Sequence, residues 1–213
     1  MRKADIATAV RLALVPLIVY SVILRLSPIV PVALFITALA LDGVDGFFAL
    51  NEASNGAIGI GTYLRYALGN DAAARLVSRY KPKLVKEAGY GPRIDVAGDR
   101  IVEYSLWMLF IYLRVLPFFV ILIVMAVHSV ADALMGRRGT SSRIKTRFAR
   151  LVYASKSSRL IANVLKALTF SYLMLVYISG WNLQVGYALS ALLVMFVTLR
   201  GVAEIRESVA DAD

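Results

Sequence analysis

The chain has 213 residues, 59% of them hydrophobic, with a mean hydropathy of +0.70, well above the roughly 45–50% apolar content of soluble domains. That composition excludes a mainly water-solvated globule, and the absence of cysteine excludes disulfides, thiolate nucleophiles and cysteine metal sites. The net charge of +10 does not imply nucleic acid, because Lys and Arg gather before the first apolar run and in 51–94 and 136–160, with nearly uncharged turns between; this alternation follows the positive-inside rule and attracts anionic lipid.

A membrane helix needs about 20 apolar residues. Six stretches approach that length, at about 6–24, 29–50, 101–116, 117–135, 161–178 and 185–199. The first is read as a retained helix, since no small-residue cleavage site follows it. Arg25-Leu26-Ser27-Pro28 separates the first two, Leu116-Pro117 the third from the fourth, and Gly180-Trp181-Asn182 the fifth from the sixth. Short turns of this kind make successive helices antiparallel neighbours. Between the second and third lies a polar segment in which Asp71–Tyr80 reads as a capped, basic amphipathic helix, broken near Pro82 and lying along the inner membrane surface. The expected architecture is therefore all-α: one domain, 1–213, of six transmembrane helices with both termini cytoplasmic, plus an interfacial helix within 51–90.

Ionisable residues inside membrane helices cost a few kcal/mol each on insertion scales, so four acids near the expected helix ends call for a use. Asp42 and Asp45 are spaced i, i+3 and Asp95 and Asp99 are spaced i, i+4; each pair shares one helical face, and both lie toward the same membrane side. Four converging carboxylates would repel one another and take up protons unless compensated. A hard divalent cation, Mg²⁺ or Mn²⁺ or Ca²⁺, suits an all-oxygen site and points to phosphate chemistry. Gly43, Gly46, Gly91 and Gly98 surround these acids and let a backbone or a ligand come close.

The string Asp42-x2-Asp45-Gly46-x2-Ala49-Leu50, with Gly91-x3-Asp95-x3-Asp99, resembles the signature of the CDP-alcohol phosphotransferases, D-x2-D-G-x2-A-R followed by G-x3-D-x3-D. Thr8-x2-Arg11-x4-Pro16 is similar to the N-terminal T-x2-R-x4-P of that family's phosphatidylglycerol phosphate and phosphatidylinositol phosphate synthases. The resemblance implies that Asp42, Asp45, Asp95 and Asp99 hold two Mg²⁺ or Mn²⁺ ions, with Asp99 also acting as general base on an alcohol. It implies that Thr8, Asp42, Gly46, Ala49 and Gly91 line the CDP pocket. It further implies a homodimer in the cytoplasmic membrane, its active site facing the cytoplasm, that transfers a phosphatidyl or archaetidyl group from a CDP-lipid to a polar alcohol and releases CMP. The chain departs from the pattern twice: Leu50 replaces the signature's Arg, for which Arg65, Arg75 and Arg93 are candidate substitutes, and residues 51–90 form a much longer spacer.

The resemblance also implies that basic residues in the fourth-to-fifth loop, the fifth helix and the end of the sixth, here Arg143, Arg159 and Arg200, grip an acceptor phosphate, a task that suits the forked guanidinium; this favours inositol phosphate or glycerol phosphate. His128 and Asp132, i and i+4, read as an interfacial pair. Two other classes remain: a CDP-binding scaffold with altered catalysis, to which Leu50 and the insertion point, and a small cation-coupled transporter, which the clustering of the acids at one interface disfavours.

Overall fold

The computed structural model describes residues 3–87, 91–135 and 156–210. Among the described residues the chain is all-helical, in eight helices: α1 (Lys3–Ile23), α2 (Ile29–Ala53), α3 (Ile60–Ala67), α4 (Asp71–Glu87), α5 (Gly91–Tyr112), α6 (Phe119–Met135), α7 (Lys156–Ser179) and α8 (Leu183–Ala210). Four of them, α1, α2, α7 and α8, are long and apolar enough to cross a membrane. Helix α6 is apolar but spans 17 residues. Helix α5 starts well ahead of the apolar stretch at 101–116 and carries Asp95, Asp99 and Arg100 in its first half and Glu103 just past its middle.

The helices stop where the backbone turns left-handed. Arg25 (φ 50°), Asn55 (φ 51°), Gly69 (φ 94°) and Arg114 (φ 58°) each follow a helix end. The next N–H then reaches back five residues, Leu26 to Ser21 O, Gly56 to Asn51 O, Asn70 to Arg65 O and Val115 to Phe110 O, at 2.8–3.1 Å. This satisfies carbonyls that the helix itself leaves without a donor. At the other end of the α4 segment, Asn70 Oδ1 accepts from the Ala73 N–H at 3.0 Å, so the cap is Asn70 and the helix begins at Asp71. Helix α4 also continues through Pro82 to Glu87, where a break was expected. Pro82 is exposed on this surface helix, where water can serve the carbonyl that proline cannot.

The chain forms two compact units, Met1–Ser105 and Leu106–Asp213, divided within α5. In the first, α1 and α2 pack as an antiparallel hairpin along a buried stripe of α1, Thr8, Arg11, Val15, Ile18 and Val22, and one of α2, Pro31, Phe35, Ala38 and Asp45. The α3–α4 hairpin folds back on the end of α2 around a core of Leu50, Ile58 and Val77, with Tyr63, Tyr66 and Tyr80 packed against it. Asn51 Nδ2 donates to Ile58 O (2.9 Å) and the Ile58 N–H donates to Ser54 Oγ (3.0 Å), tying the connecting turn to the helix end.

In the second unit α8 packs against both α6 and α7. Its core is aromatic: Trp107 and Phe170 meet edge to face at 4.9 Å and Phe110 lies parallel to Phe170 at 6.3 Å, all three buried. Small residues set the helix separations, since a Cβ on Gly186 would touch Leu173 and one on Gly201 would collide with Val127. An apolar cavity of about 940 Å³, lined by residues including Pro117, Phe119, Tyr187 and Met195, opens in this unit.

Candidate metal and phosphate site

The site belongs to the first unit and follows from the register of its hairpin. Arg11 bonds Asp42, and the Thr8 hydroxyl donates to Asp45 Oδ2 at 3.2 Å. In an antiparallel pair this places Val15 level with Ala38, Ile18 with Phe35 and Val22 with Pro31. The acids thus continue the apolar seam of α2, and Thr8 and Arg11 continue that of α1; the seam changes from apolar to ionic within one turn.

Helix α5 brings the second acid pair to the same point. Arg11 Nη1 donates to Asp99 Oδ1 at 2.7 Å, and Nη2 donates to Asp95 Oδ1 at 3.2 Å and to the Asp95 carbonyl at 3.3 Å. Only 2% of the Arg11 side chain is exposed, against 43% for Asp95 and for Asp99. A buried guanidinium is stable only when its donors are met by carboxylates in good geometry, and here three carboxylates meet it. Gly98 makes the approach possible, because a Cβ there would stand 2.8 Å from Arg11 Nη2 and 3.2 Å from Thr8 Cγ2. Glu103, two turns beyond Asp95, is buried as well.

Oxygens of Asp42, Asp45 and Asp95 lie within 4.8 Å of one another. When all four aspartates are ionised, Arg11 cancels one of their four negative charges. Two carboxylates about 4 Å apart repel by roughly 4 kcal/mol at an effective dielectric constant near 20, so the cluster favours a further cation. Three carboxylate oxygens with part of the site open to solvent fit a hard divalent ion that keeps other positions for water or ligand.

The sequence-derived residues divide as follows. Thr8, Asp42, Asp45, Asp95 and Asp99 are brought together. Gly46 lies beside them, and its open face is met by the Tyr63 hydroxyl of α3, which would stand 2.8 Å from a Cβ placed there. Ala49 is half-buried one turn further along α2, and Gly91 opens α5 one turn before Asp95. Gly43 faces open space. Arg143 lies outside the described residues. Arg159, exposed on α7, and Arg200, half-buried on α8, belong to the second unit, as do His128 and Asp132 on α6.

Two participants escaped the sequence reading. Arg11, read there as part of a motif, is a cation of the site bonded to three of its carboxylates; of the cations considered as substitutes for the missing Arg, Arg65 and Arg75 are exposed and the Arg93 side chain lies outside the described residues. Its signal was available, since it interrupts an apolar stripe at the level of Asp42 once the hairpin is registered. Tyr63 carried no such signal, because its approach to Gly46 depends on how the α3–α4 hairpin folds back. Burial, with the charges of Asp42 and Asp45 beyond it, pushes the Tyr63 hydroxyl up to about 12, so it stays a neutral donor.

No family model matches this sequence, and no curated protein or solved structure is significantly similar to it.

Proposed function

We propose that this chain is a metal-dependent membrane enzyme of phospholipid synthesis, a CDP-alcohol phosphotransferase that moves a phosphatidyl or archaetidyl group from a CDP-lipid to an alcohol and releases CMP. The observation that carries the reading is the convergence of Asp42, Asp45 and Asp95, with oxygens within 4.8 Å, beside Asp99 on one turn of α5. These carboxylates would hold a pair of Mg²⁺ or Mn²⁺ ions, whose chemistry there would be to neutralise the donor's diphosphate. Asp99, the most weakly enclosed of the four together with Asp95, takes the proton from the acceptor hydroxyl. The acceptor oxygen bonds to the lipid-side phosphorus, the anhydride P–O bond breaks, and CMP leaves with the electron pair. Thr8 orients Asp45 through its 3.2 Å hydrogen bond. Two further crossings, by α5 and α6, would join the four long apolar helices to make six, with both ends on the cytoplasmic side and the chain a homodimer, and Arg143, Arg159 and Arg200 would grip the phosphate of inositol phosphate or glycerol phosphate.

A specific contact favours a second reading. Arg11 Nη1 sits 2.7 Å from Asp99 Oδ1, and a carboxylate held by a guanidinium is a poorer base. In that reading the chain binds CDP-lipid as a scaffold without turning it over. The two separate in one assay: purified protein with Mg²⁺ or Mn²⁺, a CDP-lipid and a panel of alcohols. Acceptor-dependent CMP release establishes the enzyme. Donor binding without release across the whole panel establishes the scaffold.

A further inference from the structure

The α3–α4 hairpin, formed by the long spacer between the acid pairs, plays no part in the reaction outlined above, yet it reaches the site. Its Tyr63 hydroxyl abuts Gly46, the residue after Asp45 and one turn beyond Asp42. Among the described residues that hydroxyl has no hydrogen-bond partner. The Tyr63 ring packs edge-on to Phe47 at 5.6 Å and lies 6.4 Å from Tyr66, and all three rings are half-buried. Helix α3 is held there by Leu50, Ile58 and Val77 beneath it.

We propose that α3 is the nucleotide-docking element of the site, the Tyr63 hydroxyl donating to an oxygen of a nucleoside diphosphate and the Phe47–Tyr63–Tyr66 rings giving its base a surface to stack on. This deepens the phosphotransferase reading and rests on it. The Tyr63 hydroxyl, set against Gly46 next to Asp45, can donate to an oxygen-rich ligand, and a cation-held diphosphate at Asp42 and Asp45 would present one. Aromatic faces suit a planar base, whereas a lipid chain needs neither ring faces nor a donor. Leu50 makes sense in the same frame: it anchors the hairpin that carries the polar contact, so the contact comes from Tyr63 and not from residue 50.

The test uses the full-length protein purified in detergent, with CDP titrated calorimetrically in the presence of Mg²⁺ and Mn²⁺ binding followed separately by electron paramagnetic resonance. Tyr63→Phe removes only the hydroxyl and is expected to weaken CDP about five- to tenfold, the loss of one hydrogen bond. Tyr63→Ala removes the ring too and is expected to cost about tenfold more. Mn²⁺ affinity should stay within about twofold in both, and Leu64→Ala, on the exposed side of the same helix, should bind CDP as the parent does. Parent-like CDP affinity in both Tyr63 variants would overturn the docking role and leave the phosphotransferase reading standing. Parallel loss of CDP and Mn²⁺ in Tyr63→Phe would overturn it in favour of a purely structural residue. Failure of the parent to bind CDP while it binds Mn²⁺ would overturn both.

Discussion

The chain contains two antiparallel hairpins of long apolar helices, α1–α2 and α7–α8, built by the same rules and filled differently. Each turns through a left-handed residue, Arg25 in one and Gly180 (φ 70°) in the other. Near its turn the α7–α8 seam is apolar or weakly polar: Gly186 admits Leu173, the Thr169 hydroxyl donates to Leu189 O at 3.3 Å, and Ser190 satisfies itself on Gly186 O at 2.8 Å. The α1–α2 seam runs apolar from Val22 to Val15 and then buries a guanidinium among carboxylates. Next to its turn the second hairpin packs through small and apolar residues, and its buried charges, Glu204 and Glu207, lie toward the far end of α8. Buried ion pairs seldom improve on apolar packing and are costly to leave half made, so the ionic end of the first hairpin is the part whose contribution the following variants measure.

The comparison can be broken at the acids first. Asp99→Asn should lower turnover by about 10²- to 10⁴-fold, the usual contribution of a general base, while Mn²⁺ and CDP still bind; Asp45→Asn should lose turnover and both ligands. CMP release together with Mn²⁺ resonance checks the pair, and near-parent activity in either variant contradicts the roles given to these residues.

The next largest effect falls on the cation. Arg11→Met leaves Asp42, Asp95 and Asp99 without their counter-charge, and the metal-free protein should lose about 3–5 kcal/mol of stability, as when one partner of a buried pair is removed. Added Mg²⁺ should recover more of the melting temperature in Arg11→Met than it adds to the parent, because ligand linkage grows with affinity. Thermal melts with and without Mg²⁺ decide it; an equal Mg²⁺ increment in both proteins would mean that Arg11 and metal do not compete for the same carboxylates.

Gly98→Ala forces a Cβ against Arg11 Nη2 and Thr8 Cγ2 and should cost about 1–3 kcal/mol by overpacking, with weaker Mn²⁺ binding, as denaturation and resonance measurements would register. Ser190→Ala in the other hairpin removes one local hydroxyl-to-carbonyl bond and should change stability by under about 1 kcal/mol with no effect on Mn²⁺. A larger loss there would show that the second seam also depends on polar contacts.

Much of the helical pattern was legible because it rests on composition and punctuation. The turns at Arg25–Pro28, Leu116–Pro117 and Gly180–Asn182 fall between helices as their residues dictate. The acid pairs were legible because charge in an apolar run is conspicuous and i, i+3 and i, i+4 spacing defines a face. Helix α5 was harder: its first half is rich in Gly and Asp, poor helix formers, yet it is helical from Gly91, with Asp95 and Asp99 bonded to Arg11 from another helix. Pro82 misled for the opposite reason, since a breaker at an exposed position of a surface helix can be carried. Tyr63 lay beyond reach because nothing local links it to Gly46, which stands 17 residues earlier.

Leu50 stands one turn beyond Gly46 on α2, on the side that the α3–α4 hairpin covers. A version of the chain without that hairpin would present an uncovered leucine there, where a long cationic side chain could instead reach toward the acids. Residue 50 and the spacer therefore form a single exchangeable unit: grafting Arg at position 50 into this chain would bury a charge under Ile58 and Val77, and deleting the hairpin would strand the leucine. The two changes are tolerable only together, and transplanting one without the other should fail at the level of folding before it is ever tested at the level of catalysis.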